Sequence, residues 1–320
     1  MKQFIIGAIK NLKLVELQPI LINNTISVIS DSTVYGEIIN IPAFIGHIGK
    51  ISFDKLMMAP SHMCIFNAEK FDSSRGHIDN LKVLNNYIGM MHSFQLALWL
   101  VKDNSVNIDE TFFHDSKISE TIRSTDTGKY STANGNYGTM EFNQDEINEV
   151  FFWFDKIKTY TFLDNSSDYA IKEGENFRKQ LPHQEFNRIG RALLYIVSAR
   201  NDSFLPSKIA NYMSAFEALI SSGGEGLTSQ VSERTAKFIG NDREEKLNIY
   251  ASVRDAYMAR SSYVHGDKQR SKIHKNIEDL SFETDKILRS LVKKIIIEFP
   301  DIIDLDSEKF TLWYRKNMLF

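Results

Sequence analysis

The sequence predicts an α+β protein, an N-terminal β-containing domain followed by a C-terminal all-α helical bundle. Three observations carry this. Residues 1–71 break into short Ile- and Val-rich runs separated by Asn, Asp and Gly, the punctuation of strands. From residue 186 onward apolar residues recur at three- and four-residue intervals, the period of helices with one buried face. Between them lies the polar stretch Gly174–Gln184 with Pro182 inside it, which suits a boundary. The expected domains are residues 1–175 and 176–320, each large enough to hold its own core.

In the first domain the expected strands are Ile20-Leu21-Ile22, Ile26-Ser27-Val28-Ile29-Ser30 and Val34-Tyr35-Gly36-Glu37-Ile38-Ile39. Met1–Lys10 superficially resembles a signal peptide, but Lys10 and Lys13 cut its apolar run short before any cleavage-like site. No run reaches the ~18 apolar residues a membrane span requires, so a cytoplasmic location is expected. Leu81–Lys102 reads as a helix, with Val83, Tyr87, Met90, Met91, Phe94, Leu98 and Val101 as one core-facing stripe. Arg123–Thr139, rich in Ser, Thr, Gly and Asn, reads as a loop or mobile insertion. Asn143 stands three residues before Glu146, the spacing of an N-cap and its reciprocal carboxylate. Phe151-Phe152-Trp153-Phe154 on that helix docks it against a neighbour.

Five helices are expected in the bundle. Phe186, Ile189, Leu193, Ile196 and Val197 stripe the first; Pro206 opens the second, which carries Ile209, Tyr212, Met213, Phe216 and Ile220 before Gly223-Gly224. The third carries Val231, Phe238 and Ile239 and stops at Gly240; Asp242 opens the fourth, with Leu247, Tyr250, Val253, Tyr257 and Val264 as its buried side. The fifth runs from about Ser271 to Phe299, where Pro300 ends it. The tail, with Phe310, Leu312, Trp313 and Phe320, is apolar enough to pack back.

Composition narrows the function. A net charge of −3 gives no global pull toward nucleic acid, so RNA or DNA binding needs a local basic patch. Lys286, Arg289, Lys293 and Lys294 offer such an edge, or simply a solvated face. Cys64 is the single cysteine, which rules out an internal disulfide framework. His62-Met63-Cys64 lacks a second ligand pair. Gly223-Gly224-Glu225-Gly226 lacks the Lys-Ser/Thr of a phosphate-cradling loop. No serine or cysteine nucleophile motif appears, and no cofactor or metal is expected.

The chemistry-bearing stretch is Arg260-Ser261-Ser262-Tyr263-Val264-His265-Gly266, the end of the fourth helix. It sets a permanent cation near a group that exchanges protons around neutral pH, the equipment for cleaving a phosphodiester without metal. Five residues turn a helix by about 140°, so the two converge only because arginine is long and the helix ends at His265. The interval is weak by itself, since Arg178 and His183 repeat it across Pro182. The setting adds weight: Glu217 lies beside the buried face of the second helix, and Arg234 lies on the apolar face of the third. A charge in such a position needs a partner. Either Glu217 and Arg234 pair with each other, or they support Arg260 and His265.

The stretch Arg188–Asp267 resembles a HEPN domain of the ApeA-like branch. The resemblance rests on Arg191-Ala192-Leu193-Leu194, Ser214-Ala215-Phe216-Glu217-Ala218-Leu219-Ile220, Glu233-Arg234-Thr235-Ala236-Lys237-Phe238-Ile239-Gly240 and Tyr257–Gly266. It covers about a quarter of the chain, and Ser261 fills the polar position after the signature arginine where many relatives carry Asn or Asp. The resemblance implies a metal-independent endoribonuclease, usually homodimeric, with two signature motifs facing each other in a composite cleft. His265 would activate the 2′-hydroxyl or protonate the leaving 5′-oxygen. Arg260 would stabilise the scissile phosphate, and Ser261 would hold a phosphate oxygen or the arginine. By analogy the protein is a toxin-like effector in phage defence (abortive infection), with the N-terminal region sensing a trigger or binding a regulator. The alternative is a non-catalytic HEPN dimerisation or partner-binding module.

Overall fold

The computed structural model describes residues 3–15, 20–21, 26–65, 77–125, 128–160, 186–265 and 276–318. The chain divides into two compact units, Met1–Lys129 with Tyr137–Glu173, and Tyr130–Asn136 with Gly174–Phe320. The expected α+β architecture holds: an antiparallel sheet with helices in the first unit, and helices in the second.

The sheet is built on β1 (Gln3–Lys10). With β3 (Ile20–Leu21), β4 (Ser27–Ile29), β5 (Ser61–Ile65), β6 (Asn107–Asp115) and β7 (Glu120–Thr125) it runs in the order β3-β4-β5-β1-β6-β7. Phe4, Ile6 and Ala8 point to one face, into a core with Phe44, Leu56, Cys64 and Phe112. The helices α1 (Ser32–Ile39), α2 (Pro42–Ile48) and α3 (Lys50–Met58) contribute to that core. On the other face Gly7 lets α4 (His77–Val101) come close; a Cβ there would lie 2.5 Å from Met91 Cε. Burial on both faces is why β1 is a continuous apolar run, the feature that gives the N-terminus its leader-like look. A short parallel pair, β2 (Leu12–Leu14) with β8 (Met140–Phe142), joins this unit.

One expected strand is a helix. Residues 34–39 lie in α1, where the Asp31 carboxylate accepts from the Thr33 amide at 2.9 Å and caps the first turn. That capping signal outweighs the β-branched composition. The Asn143–Glu146 capping box forms at the start of α5 (Gln144–Ile157). Within Arg123–Thr139, residues 123–125 belong to β7, while Tyr130–Asn136 is a strap belonging to the second unit. Its Ser131 amide donates to the Arg200 carbonyl at 2.8 Å, and Ser281 Oγ donates to the Ala133 carbonyl at 2.5 Å.

The second unit is a bundle of α6 (Arg188–Arg200), α7 (Leu205–Ile220), α8 (Leu227–Ile239), α9 (Arg243–His265), α10 (Ile277–Glu298) and α11 (Ser307–Met318). Central α7 packs against α6, α8, α9 and α10 and buries Ile209, Tyr212, Met213, Phe216, Leu219 and Ile220. Its core holds a polar chain: Lys208 donates to the Ala199 carbonyl at 2.8 Å, and Tyr212 donates to Asp285 Oδ1 at 2.9 Å, with Arg289 paired to the same carboxylate. The tail helix α11 packs back as expected, with Trp313 stacked 6.1 Å from Phe238. Phe320, Gly174–Gln184, the expected start of the fifth helix at Ser271 and the pair Arg178–His183 lie outside the described residues.

On α9 the buried side departs from expectation. Leu247 and Val264 are exposed, and the buried residues are Ile249, Val253, Ala256, Tyr257 and Ala259. Small alanines complete the stripe where the neighbouring helices come close, so tracing the large residues misdraws its ends.

Candidate active site

α9 carries Arg260, Ser261 and His265 into its last two described turns. Arg260 and Ser261 are half-buried, and His265 is exposed. Gly266 and Asp267 lie outside the described residues.

Tyr257 precedes Arg260 by three residues, which puts both on one side of the helix. The Arg260 guanidinium lies over its ring, 5.5 Å from the centroid, within cation–π range. At the other end of the ring, the Tyr257 hydroxyl donates to Glu217 Oε1 at 2.8 Å. Burial and the Glu217 carboxylate push the Tyr257 phenol up to about 12, against a smaller pull from Arg260. The phenol therefore stays protonated and remains a donor. The result is a row of carboxylate, phenol and guanidinium running from the last turns of α7 to the end of α9.

Glu217 and Arg234 find separate partners rather than each other. Arg234 Nη1 donates to the Ile220 carbonyl at 2.7 Å and Ser222 Oγ at 2.8 Å. Its guanidinium lies 4.7 Å from the Tyr314 ring and 5.4 Å from that of Phe310. Arg188 reinforces it, donating to the Ser221 carbonyl at 3.0 Å and the Leu305 carbonyl at 2.8 Å, and lying 4.2 Å from Phe310. A helix C-terminus leaves its last carbonyls unsatisfied and carries partial negative charge; two arginines serve that end of α7. Arg234 is thus a cap for α7, whereas Glu217 holds the hydroxyl of the tyrosine against which Arg260 lies.

Just outside the motif, Tyr263 and Val264 are 42% and 55% exposed, and Tyr263 packs edge-on against Phe204 at 5.9 Å. The basic edge on α10 is largely compensated. Lys286 pairs with Glu283 at 3.9 Å, Lys294 with Glu298 at 2.8 Å, and Arg289 with Asp285. His62 is buried, with its Nε2 2.5 Å from the Leu56 carbonyl, and Cys64 is buried beside it in sequence. Among the described residues no group of three or more His, Cys, Asp and Glu could hold a metal ion, and no helix is long and apolar enough to cross a membrane.

Sequence reasoning singles out Arg260, Ser261, His265 and Glu217, but treats Tyr257, through which Glu217 and Arg260 are connected, as mere packing. The signal for its second role is its position one turn before Arg260 on the side facing Glu217. Among known proteins, no family model matches the chain, and no curated protein or solved structure matches it.

Proposed function

We propose that the chain is a metal-independent endoribonuclease of HEPN type, acting in the cytoplasm as a toxin-like effector in phage defence. The observation that carries this reading is the Glu217–Tyr257–Arg260 row beneath the helix end that bears an exposed His265. A cation and a solvent-accessible imidazole in the last two turns of one helix suit a reaction in which charge develops on phosphate oxygens while protons move.

In this reaction the RNA 2′-hydroxyl attacks the adjacent phosphorus. The new bond joins O2′ to phosphorus, the P–O5′ bond breaks, and the products are a 2′,3′-cyclic phosphate and a 5′-hydroxyl. The 2′-hydroxyl proton passes to a base and the departing O5′ takes one from an acid; His265 fills one of these roles. Arg260 offsets charge on the phosphate, and Ser261 holds a phosphate oxygen or the guanidinium. Each chain brings one such histidine, so the cleft is completed by a second copy, the two-fold pairing common among oligomers. Exposed Tyr263 and Val264 beside the motif support a covered face there. Residues 1–175 then sense a trigger or restrain the nuclease.

Total RNA incubated with purified chain in EDTA tests this. Cleavage should survive chelation, leave cyclic-phosphate ends, spare DNA, which lacks the 2′-hydroxyl, and vanish in Arg260→Ala and His265→Ala. If both variants cut at the parent rate, the site assignment is wrong. The second reading, a non-catalytic pairing module, is favoured by the same exposed Tyr263 and Val264; it stands if no RNA is cut while the chain still self-associates.

A further inference from the structure

We propose that Tyr257 is a positioning residue: its hydroxyl, donating to Glu217, fixes the ring against which Arg260 is held, so that the guanidinium is presented in one orientation. The inference rests on reading the site as RNA-cleaving, but its geometry does not depend on that reading.

Two contacts carry it. Arginine has several rotatable bonds and loses much of its rotamer freedom when fixed. Among the described residues Arg260 has no ion-pair partner, so the Tyr257 ring is the surface that restricts it. A ring can do this only if it is itself fixed. Tyr257 is 7% exposed, and its hydroxyl is tied to Glu217 at 2.8 Å. Glu217 in turn sits in the last turn of α7, where its own carbonyl accepts from the Ser221 amide at 3.0 Å. The carboxylate acts on the arginine through the phenol rather than directly. A direct Glu217–Arg260 pair would occupy the guanidinium donors; the ring leaves those donors available for a phosphate, which takes them in bidentate fashion. The carboxylate at the hydroxyl also makes the ring more electron-rich, which strengthens its hold on a cation. The arrangement thus orients a cation without neutralising it.

Two readouts test this, one of them independent of catalysis. In RNA cleavage, Tyr257→Phe keeps the ring and removes the hydroxyl. It should lower kcat about ten-fold, the worth of one hydrogen bond to a charged group, with KM little changed. Glu217→Ala should do the same, the double variant should be no worse than either single one, and Glu217→Gln, whose amide oxygen still accepts, should recover most of the rate. In arginine-labelled protein followed by NMR, the Arg260 side-chain resonance should carry a ring-current shift that relaxes in both Tyr257→Phe and Glu217→Ala. If the parent cleaves, Arg260→Ala does not, and Tyr257→Phe cleaves at the parent rate, the positioning role is overturned while the nuclease reading stands. If the parent cleaves no RNA, the nuclease reading fails and the resonance decides alone. A shift that relaxes in Glu217→Ala upholds the role; one that does not move overturns it. Should Tyr257→Phe fail to fold, Glu217→Ala and Glu217→Gln decide between these outcomes through the same resonance.

Discussion

Arg234→Met separates a capping arginine from the arginine proposed to be catalytic, Arg260. Methionine keeps the aliphatic stem but removes the donors to the Ile220 carbonyl and Ser222 Oγ, together with the charge over Tyr314 and Phe310. Leaving a buried carbonyl without its charged donor costs about 1–3 kcal/mol, and the lost cation–π contacts add about 0.5–1 kcal/mol. Offsetting this, Arg234 is disfavoured by its own burial, which holds it below its ordinary pKa, and methionine bears no such penalty. The net loss is about 1–3 kcal/mol, which for a unit of this size lowers Tm by roughly 2–12 °C. Thermal unfolding followed by circular dichroism measures it, alongside RNA cleavage assayed well below the variant's transition. The expected outcome is a lower Tm with cleavage near the parent rate, the reverse of Arg260→Ala. An unchanged Tm with cleavage abolished would refute the capping assignment and return Arg234 to the site.

Acidification is expected to destabilise the first unit. Burial holds His62 down at about 4 from 6.5, so between those values the unfolded chain binds a proton that the native state refuses. Stability is full above pH 6.5 and falls by about 3 kcal/mol as pH drops to 4; His114, also lowered by burial, pushes the same way. Urea midpoints across this range should fall less steeply in His62→Gln, and a parent curve that stays flat would sink the prediction. Gly135→Ala should loosen the strap, because its φ of +81° and a Cβ 2.6 Å from the Ser203 carbonyl both oppose a side chain; a loss of about 1–3 kcal/mol is expected, read as faster proteolysis near residue 135. Val264→Glu should weaken self-association, measured by light scattering; an unchanged mass would place the pairing face elsewhere.

Some of this was legible from the residues alone, and the exceptions share a cause. Asn143 with Glu146, Pro206 and Gly240 act through neighbouring backbone, so their signals survive without knowledge of the fold. Val34–Ile39 misleads because its alternation also fits a short helix, and the deciding atom is the carboxylate of Asp31 just outside the run. Leu247 and Val264 mislead because periodicity assigns a face to a whole helix, whereas on α9 both of these side chains are exposed and the buried stripe runs through Ile249, Val253, Ala256, Tyr257 and Ala259. The strap could not be read at all: Tyr130–Asn136 looks like loop, and its membership of the second unit is set by hydrogen bonds to Arg200 and Ser281, far away in sequence. Charged groups on a core face announce that a partner is needed, but not which one. That is how Arg234 and Glu217 could be singled out together and yet serve different ends.

Those ends are connected through α7. Arg188 and Arg234 together serve the carbonyls of Ala218, Leu219, Ile220 and Ser221, and Glu217 lies in the turn immediately before them. Fixing that turn fixes the carboxylate, the carboxylate holds the Tyr257 hydroxyl, and the ring holds Arg260. The capping arginines therefore act on the site at a remove, as supports for the backbone that carries Glu217. The support is divided, since Arg188 reaches three of the four carbonyls and Arg234 the fourth, and Arg188 also anchors residues 305–306 through Leu305 and Asp306. That division explains why losing Arg234 is expected to lower stability while sparing the rate: one carbonyl loses its donor and three keep theirs. With the site as proposed, it also sets an order of sensitivity: a change at Arg260 or His265 should remove cleavage, a change at Tyr257 or Glu217 should weaken it, and a change at Arg234 should weaken only the fold beneath.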